Sequence, residues 1–373
     1  MTERERFAAL MDYEPVDRVP YWELGLWGHT YERWYAEGMP ADEPGGDFFE
    51  GGFWGIDRRS FADIRMHMIP WFEAKVLEED DRTVIAQHAN GIVTKALKEG
   101  TVRGTRPSMD QYLRFPVETM QDFEDLKKRY DPHDPARRPA DWAERVRMYH
   151  DRTWPLCLLT NAAIGFYSNA RSWMGTENLS LAFHDQPKLI HAMMEFIGDF
   201  LMEAIHDALH ELDVDYFNLF EDMAYKTGPL ISPDHFREFI FPHYRRVIEF
   251  LHRHGVRHVS VDSDGNTEKL IPLWLEAGVD THWPFECAAD MDPVRIRREF
   301  GRDLRIWGGI DKRALTKGKR EIEEELFYKM PPLLEDGGYA PHIDHTVPPD
   351  VSWANFQYYM ELRRDIAEGK HGG

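Results

Sequence analysis

The sequence predicts an α/β chain built on a (β/α)8 barrel, with an elaborated amino-terminal region. Three observations carry that expectation. From about residue 154, short β-prone runs alternate with helical patterns in five or six consecutive units. Each run ends in polar or acidic residues, as strands do when their carboxyl ends meet at one barrel face. The length of 373 residues leaves room for one large domain. The chain is therefore read as a single domain over 1–373, irregular over 1–150 and regular over 151–373.

Residues 2–12 place Phe7, Leu10 and Met11 on one side of a short helix. Residues 18–24 read as the start of a strand, followed by a stretch carrying Trp22, Trp27, Trp34 and Trp54. Aromatics at this density either pack a core or line an apolar pocket. Residues 75–77, 83–86 and 91–95 are β-prone, with Asn90-Gly91 as a hairpin turn. Helical stretches follow at 120–129 and 139–149.

The regular part begins with a strand over 156–160 that ends at Asn161. A long helix over 186–212 spaces Ile190, Met193, Met194, Ile197, Leu201 and Ile205 along one face. The next strand, 214–220, ends in Glu221 and Asp222. Ser232 before Pro233 marks a helix start, and Gly255 marks its end. Further strands are expected over 257–261, 279–286, 304–311 and 338–345, with helices between them and a last helix over 352–368.

The strand over 257–261 runs into Asp262-Ser263-Asp264-Gly265-Asn266-Thr267. Two acids at i and i+2 in an extended segment project to the same side, while Val259 and Val261 face the other way. The alternative is a polar turn in which Asp264 caps the following helix and Asp262 is solvated. In a barrel, Glu23, Asn161, Glu221, Asp222, Asp262, Asp264, Glu286, Asp311, Asp344 and His345 would all be neighbours at the strand ends.

Bulk properties exclude some partners. Lys+Arg of 45 against Asp+Glu of 66 gives a net charge of −21, which disfavours nucleic acid and anionic membrane surfaces. Cys157 and Cys287 form no Cys-x-x-Cys and no disulfide framework. The charged start lacks a signal-peptide core, and no run reaches the roughly 18 apolar residues of a membrane span. A soluble cytoplasmic protein is expected.

Four pieces, in this order and spacing, resemble a known family. They are Ala8-Ala9-Leu10 with Pro15-Val16-Asp17-Arg18-Val19-Pro20, Glu221-Asp222-Met223-Ala224 with Ile231-Ser232-Pro233, Gly308-Gly309-Ile310-Asp311, and Val347-Pro348-Pro349-Asp350-Val351-Ser352 with Asn355-Phe356. The chain resembles the uroporphyrinogen decarboxylase superfamily, in its branch of corrinoid-linked methyltransferases. The resemblance covers nearly the whole chain and implies a (β/α)8 barrel.

The departures from the family pattern are informative. The decarboxylases carry an arginine-rich segment after a Pro-x-Trp that holds the porphyrinogen carboxylates. Here the stretch from Pro20 to Leu26 has no arginine and carries Glu23, so porphyrinogen decarboxylation is not expected. Thiol-directed members hold zinc through a His-x-Cys at a strand end and a later Cys. The resemblance puts Asp262 at the His position, Asp264 at the first Cys position, and His345 at or next to the later Cys. Each replacement is a competent ligand for a divalent metal, zinc foremost. Glu221, Asp222 and Asp344 would add ligands or hydrogen bonds to them. The alternative is a site without metal, whose acids bind substrate hydroxyls or a cation.

The implied activity is metal-assisted transfer of a methyl group from a small, methoxylated substrate to a corrinoid on a separate partner protein. Glu221 or Asp222 would donate a proton to the leaving oxygen or orient it. Trp22, Trp27 and Trp54 would form an apolar wall, with Glu23, Asn161, Asp311 and Asp344 completing the substrate surface. Two other readings remain open: a decarboxylase or lyase acting on a small non-porphyrin substrate, with Lys312 as its main cation, and a non-catalytic small-molecule-binding barrel.

Overall fold

Seven short parallel strands lie side by side in chain order: β1 (Ser60–Phe61), β2 (Leu156–Cys157), β3 (Tyr216–Phe220), β4 (His258–Asp262), β5 (Thr281–Trp283), β6 (Arg305–Trp307) and β7 (Tyr339–Ala340). The structure is a computed structural model that describes residues 1–40, 53–100, 102, 109–160 and 162–370. From β2 onward, helices connect each strand to the next, and Trp353–Ala367 follows β7. The register pairs Ser260 with Asn218 and Asp262 with Phe220, so β3 and β4 end level with each other.

The expected strand over 18–24 is not a strand. Pro20 has no N–H to give to a ladder, and the Tyr21 N–H donates to the Asp57 carboxylate at 2.9 Å. The Trp22 carbonyl accepts from Arg363 at 2.8 Å. The segment still runs beside the sheet, with Asp57 N–H donating to Tyr21 O and Val347 N–H to Gly25 O, each at 2.9 Å. What the described residues show is an α/β architecture around a curled, seven-stranded parallel sheet.

The elaborated amino-terminal region contains a separate antiparallel sheet of Lys75–Glu79, Thr83–Gln87, Val93–Leu97 and Gln111–Arg114. Asn90-Gly91 turns between its second and third strands, and Gly91 has φ +84°, which favours glycine. The fourth strand and three helices, Gly28–Ala36, Phe166–Met174 and Thr176–Asp185, had no counterpart in the sequence reading.

Packing rather than intrinsic propensity holds the helices. Pro187–Glu211 buries Leu189, Ile190, Met193, Met194, Ile197, Leu201 and Ile205 against the sheet and its neighbours. Each such side chain contributes about 1.5–3 kcal/mol, against a few tenths per residue from propensity. The helix that starts at Pro233 opens into a π turn over Phe236–Ile240 before continuing as Phe241–Arg253. Pro242 explains the interruption, because it has no N–H for the Glu238 carbonyl one turn back.

The inside of the sheet fills from the amino-terminal end upward. The first helix, Glu3–Met11, begins with a capping box at Thr2 and inserts Phe7 beneath the strands. Phe7 lies 5.2 Å from Tyr216, 5.9 Å from Trp22 and 6.1 Å from Trp307, ring centre to ring centre. Above this aromatic floor, Asn218 Oδ1 accepts from Ser260 Oγ at 2.6 Å and from Trp283 Nε1 at 3.0 Å. Asp262 comes next along β4. Among the described residues, no helix is long and apolar enough to cross a membrane.

Candidate active site

Asp262 is the last residue of β4 and shares the inner side of the sheet with Ser260. Its carboxyl keeps some surface open to the cleft but is hemmed in by protein. Burial pushes its pKa well above the usual carboxylate range; the charges of Asp264 and Asp222 push it further, while Arg59 opposes them. The backbone ties these strand ends together, because the Asp262 carbonyl accepts from Glu221 N–H at 2.8 Å.

Asp264 does not cap a helix, since the next helix begins only at Ile271. Its Oδ2 instead meets Nε2 of His345 at 3.2 Å. On the far side of the ring, His345 Nδ1 lies 2.8 Å from Thr346 Oγ1, which also accepts from Trp27 Nε1 at 2.7 Å. The imidazole is thus held at both nitrogens. Burial lowers its pKa, but the hydrogen bond and charge of Asp264 outweigh that, leaving it raised.

The turn after Asp264 needs glycine. Gly265 has φ +80°, and a Cβ there would sit 2.7 Å from the Ala224 carbonyl. Its N–H donates to Glu286 Oε2 at 3.0 Å. Lys312 Nζ stands 3.4 Å from Glu286 Oε1 and 3.8 Å from Asp344 Oδ1. Asp344 is fully buried and accepts from the backbone of Cys287 at 2.9 Å and of Lys312 at 3.1 Å. It therefore positions the two loops that carry Glu286 and Lys312, and does not face the cleft itself.

Several expected site residues have structural tasks. Glu221 is fully buried at the start of the helix Phe166–Met174. It accepts from the N–H groups of Phe166 at 2.9 Å, Tyr167 at 2.7 Å and Ser168 at 3.3 Å, and from the Tyr244 hydroxyl at 2.6 Å. These N–H groups have no partner inside the helix, and an acid there also suits the helix dipole. Gly165 makes the approach possible, since a Cβ there would fall 1.7 Å from the Phe220 carbonyl. Burial raises the Glu221 pKa to about 7, against the four hydrogen bonds that lower it. With its acceptor sites filled, the proton-donor part expected of Glu221 has no free geometry.

Glu23 is also fully buried. It pairs with Arg363 at 2.7 Å, accepts from Tyr359 Oη at 2.6 Å and from Ile343 N–H at 3.2 Å, and so fastens the last helix to the amino-terminal segment. Asp311 caps the short helix Lys312–Leu315 and holds Arg313 at 2.7 Å. Trp22 belongs to the aromatic floor, and Trp54 packs with Trp34, Trp353 and Phe356 in a cluster of its own. Only Trp27 of the expected aromatic wall lies beside the cleft residues. Asn161 lies outside the described residues.

Asp222 stays at the mouth. It has φ +43°, and its carboxylate and carbonyl both accept from Arg171, the carbonyl at 2.8 Å. Arg171, Arg59 and Thr346 are the cleft residues that the site reading left out, and Glu286 was expected at a strand end but given no role. Arg59 is 2% exposed, with its guanidinium 4.9 Å from the Trp22 ring. Arg171 had no signal, because it sits mid-helix in a stretch without strand-end polarity. Glu286 had one, as an acid closing a β-prone run.

The expected metal ligands do not converge as a set. Among the described residues, the one group of three potential ligands with donor atoms all within 4.8 Å of each other is His206, His210 and His254, away from this cleft. Asp264 and His345 are turned on each other, and the charge of Asp264 bears on Asp262. The donor atoms of Asp262, Asp264 and His345 do not all lie within 4.8 Å of one another, so the three are not drawn together as one ligand set in this structure.

Comparison with known proteins gives the family context. Residues 101–366 match the family model "Uroporphyrinogen decarboxylase (URO-D)". A stretch of 171 residues is 26% identical to the methylated-thiol–coenzyme M methyltransferase of Methanosarcina mazei, covering 45% of this chain and 42% of that protein. A stretch of 196 residues is 28% identical to the uroporphyrinogen decarboxylase of Saccharopolyspora erythraea, covering 50% of this chain and 51% of that protein. The chain thus spans about half the length of the curated relatives it matches. A solved structure described as a methyltransferase from Methanosarcina mazei superposes with a TM-score of 0.59 at 13% identity, over 98% of this chain and 99% of that one. That likeness is one of fold. With the family model matching well over half of the sequence, the chain belongs to the uroporphyrinogen decarboxylase family.

Proposed function

We propose that the chain is a methyltransferase that takes a methyl group from a small methylated substrate at the mouth formed by β4 and the loop after β7. The acceptor in this reading is a corrinoid carried by a separate partner protein. The observation that carries it is the Asp264–His345 pair at 3.2 Å, backed by Thr346 and Trp27. Family membership and the stretch similar to a methylated-thiol methyltransferase support it. We also read the segment from Tyr21 to Trp27 as the stave that closes the seven strands into an eight-membered barrel.

Nε2–H of His345 is engaged by Asp264, so in this reading the leaving oxygen, sulfur or nitrogen of the substrate replaces the Asp264 carboxylate at Nε2 and takes that proton as the bond to methyl breaks. The heteroatom keeps the electron pair of that bond and takes the proton, and the methyl carbon forms its new bond to the acceptor. Asp264 holds the imidazole in orientation and stabilises its charged form. Asp222, fixed by Arg171, faces the same opening and bounds the substrate.

The test is a panel of methoxylated, methylthio and methylamino compounds, incubated with the protein and a Co(I) corrinoid. Formation of methyl-Co(III) together with the demethylated product is the expected result. Absence of methyl-cobalt across the whole panel, from folded protein, would overturn the reading.

One observation favours a second reading. Arg59 and Arg171 add to Lys312, the cation the sequence named, near the strand ends, and with Arg171 paired to Asp222 and Lys312 to Glu286 it is Arg59 that most suits a carboxylate substrate. The stretch similar to a uroporphyrinogen decarboxylase points the same way. A decarboxylase acting on a small non-porphyrin acid would release CO₂ with no corrinoid present.

A further inference from the structure

The second feature with recognisable ligand chemistry lies at the other end of the sheet. The helices Pro187–Glu211 and Phe241–Arg253 pack side by side and lead into β3 and β4. Their carboxyl ends therefore lie near the amino-terminal ends of those strands, whereas Asp264 and His345 follow strand carboxyl ends. His206 and His210 are four residues apart, on one face of the first helix. His254 closes the second helix.

The three rings face one another. Their centres are 4.8 Å apart for His206 and His210, 5.1 Å for His210 and His254, and 5.6 Å for His206 and His254. One donor atom from each lies within 4.8 Å of the others. His206 and His210 are exposed and His254 is half-buried, so an ion can reach the group from solvent.

Two of the rings are already oriented. His206 Nδ1 faces the Asp207 carboxylate at 3.1 Å, and His254 Nδ1 faces the Phe250 carbonyl at 2.8 Å. Both partners only accept, so each Nδ1 carries the hydrogen and each Nε2 is left with its lone pair. Metal-binding histidines are typically held in this way, by a carboxylate or a backbone carbonyl behind the ring. The carbonyl ends of two helices point toward the group and favour a cation, as does the overall charge of −21. Arg138, 3.6 Å from Asp207, is the opposing charge and reaches the carboxylate rather than the rings.

We propose that His206, His210 and His254 form a binding site for one divalent ion of the zinc, copper or nickel class, which staples the helix before β3 to the helix before β4. Three imidazoles suit such borderline ions and not magnesium or calcium. Water completes the coordination on the exposed side. The site is separate from the candidate active site and uses none of its residues.

The experiment uses the full chain stripped of metal. Zinc is titrated into wild type, His210→Ala, His254→Ala and the double variant Asp264→Ala/His345→Ala, following bound zinc and melting temperature. Copper(II) replaces zinc for electron paramagnetic resonance, which reports nitrogen ligands directly. Wild type and the double variant should bind one ion, melt at higher temperature with zinc, and show imidazole nitrogens on copper. His210→Ala and His254→Ala should each bind at least about 100-fold more weakly and lose the rise. His210 is exposed, so His210→Ala without metal should melt with wild type, whereas His254→Ala also loses the hydrogen bond to the Phe250 carbonyl and its response to zinc is read against its own metal-free value. Zinc binding unchanged in His254→Ala, or lost in the double variant while kept in His210→Ala, would overturn the assignment. Neither result depends on whether the protein transfers methyl groups.

Discussion

Nε2 of His345 and Oδ2 of Asp264 meet at 3.2 Å, joining the loop after β7 to the turn after β4. The pair has a fixed rear, because Thr346 and Trp27 hold the other imidazole nitrogen in line. His345→Ala should lower the rate of methyl transfer by about 10²- to 10⁴-fold, the usual range for a lost general acid, with little change in stability. Thr346→Val should cause a smaller loss, and Thr346→Ser should restore the rate. Single-turnover methyl transfer measures both. A His345→Ala rate equal to wild type would remove the pair from the mechanism.

Glu221 is expected to matter for folding and not for turnover. Glu221→Ala leaves three helix N–H groups and the Tyr244 hydroxyl without their acceptor in a buried setting. Stability should fall by about 3 kcal/mol or more, with Glu221→Gln losing less. Urea denaturation reads the loss as a lower midpoint, while the rate per folded molecule stays near wild type. A large rate loss at unchanged midpoint would return Glu221 to the chemistry.

The Glu23–Arg363 pair invites a double-mutant cycle. Both side chains are buried, so removing one strands the other's charge. Glu23→Met and Arg363→Met should each cost about 3–5 kcal/mol, and the double variant less than the sum. Additive losses would mean that the two groups do not depend on each other.

Acid should destabilise the protein partly through His282. This ring is fully buried as the neutral form, with Nδ1–H directed to the Val261 carbonyl at 3.2 Å and Nε2 facing Thr267 Oγ1 at 2.9 Å. Burial lowers its pKa from 6.5 to about 4. A depressed folded value means that stability is full above about 6.5 and is lost as the pH falls toward 4. The difference amounts to about 3 kcal/mol. His282→Asn, whose amide can still reach Val261, should flatten the stability profile across that window. His342, lowered from 6.5 to about 3 by the same cause, adds its own slope across that window and carries the loss on down toward pH 3. Identical slopes in wild type and His282→Asn would sink this account.

The sequence was most legible where periodicity was long or punctuation strong. The helix Pro187–Glu211 and the Ser232-Pro233 helix start fall where the spacing and the capping residues put them. Asp264 and His345 were legible as two of the strand-end groups, expected with Asp262 around a metal, and not as the mutual pair that they form. Polarity at a strand end, however, does not say which way a side chain is used. Glu221 turns to cap a neighbouring helix, Asp311 caps its own, and Glu23 is drawn inward by Arg363, whose position no local pattern announces. The segment over 18–24 has strand-like composition, but Pro20 and competing side chains take its ladder partners. Arg59 and Arg171 are brought to the cleft by tertiary packing alone.

The aromatic floor of Phe7, Tyr216, Trp22 and Trp307 makes the inside of the sheet a cup and not a tube. Whatever reaches Asp262 has to arrive and depart through the same rim. A methyl donor and a bulky acceptor would then have to queue, with the donor seated before the acceptor docks over it. In steady-state kinetics that traffic shows as ordered binding, with excess acceptor slowing the reaction by covering the rim ahead of its turn.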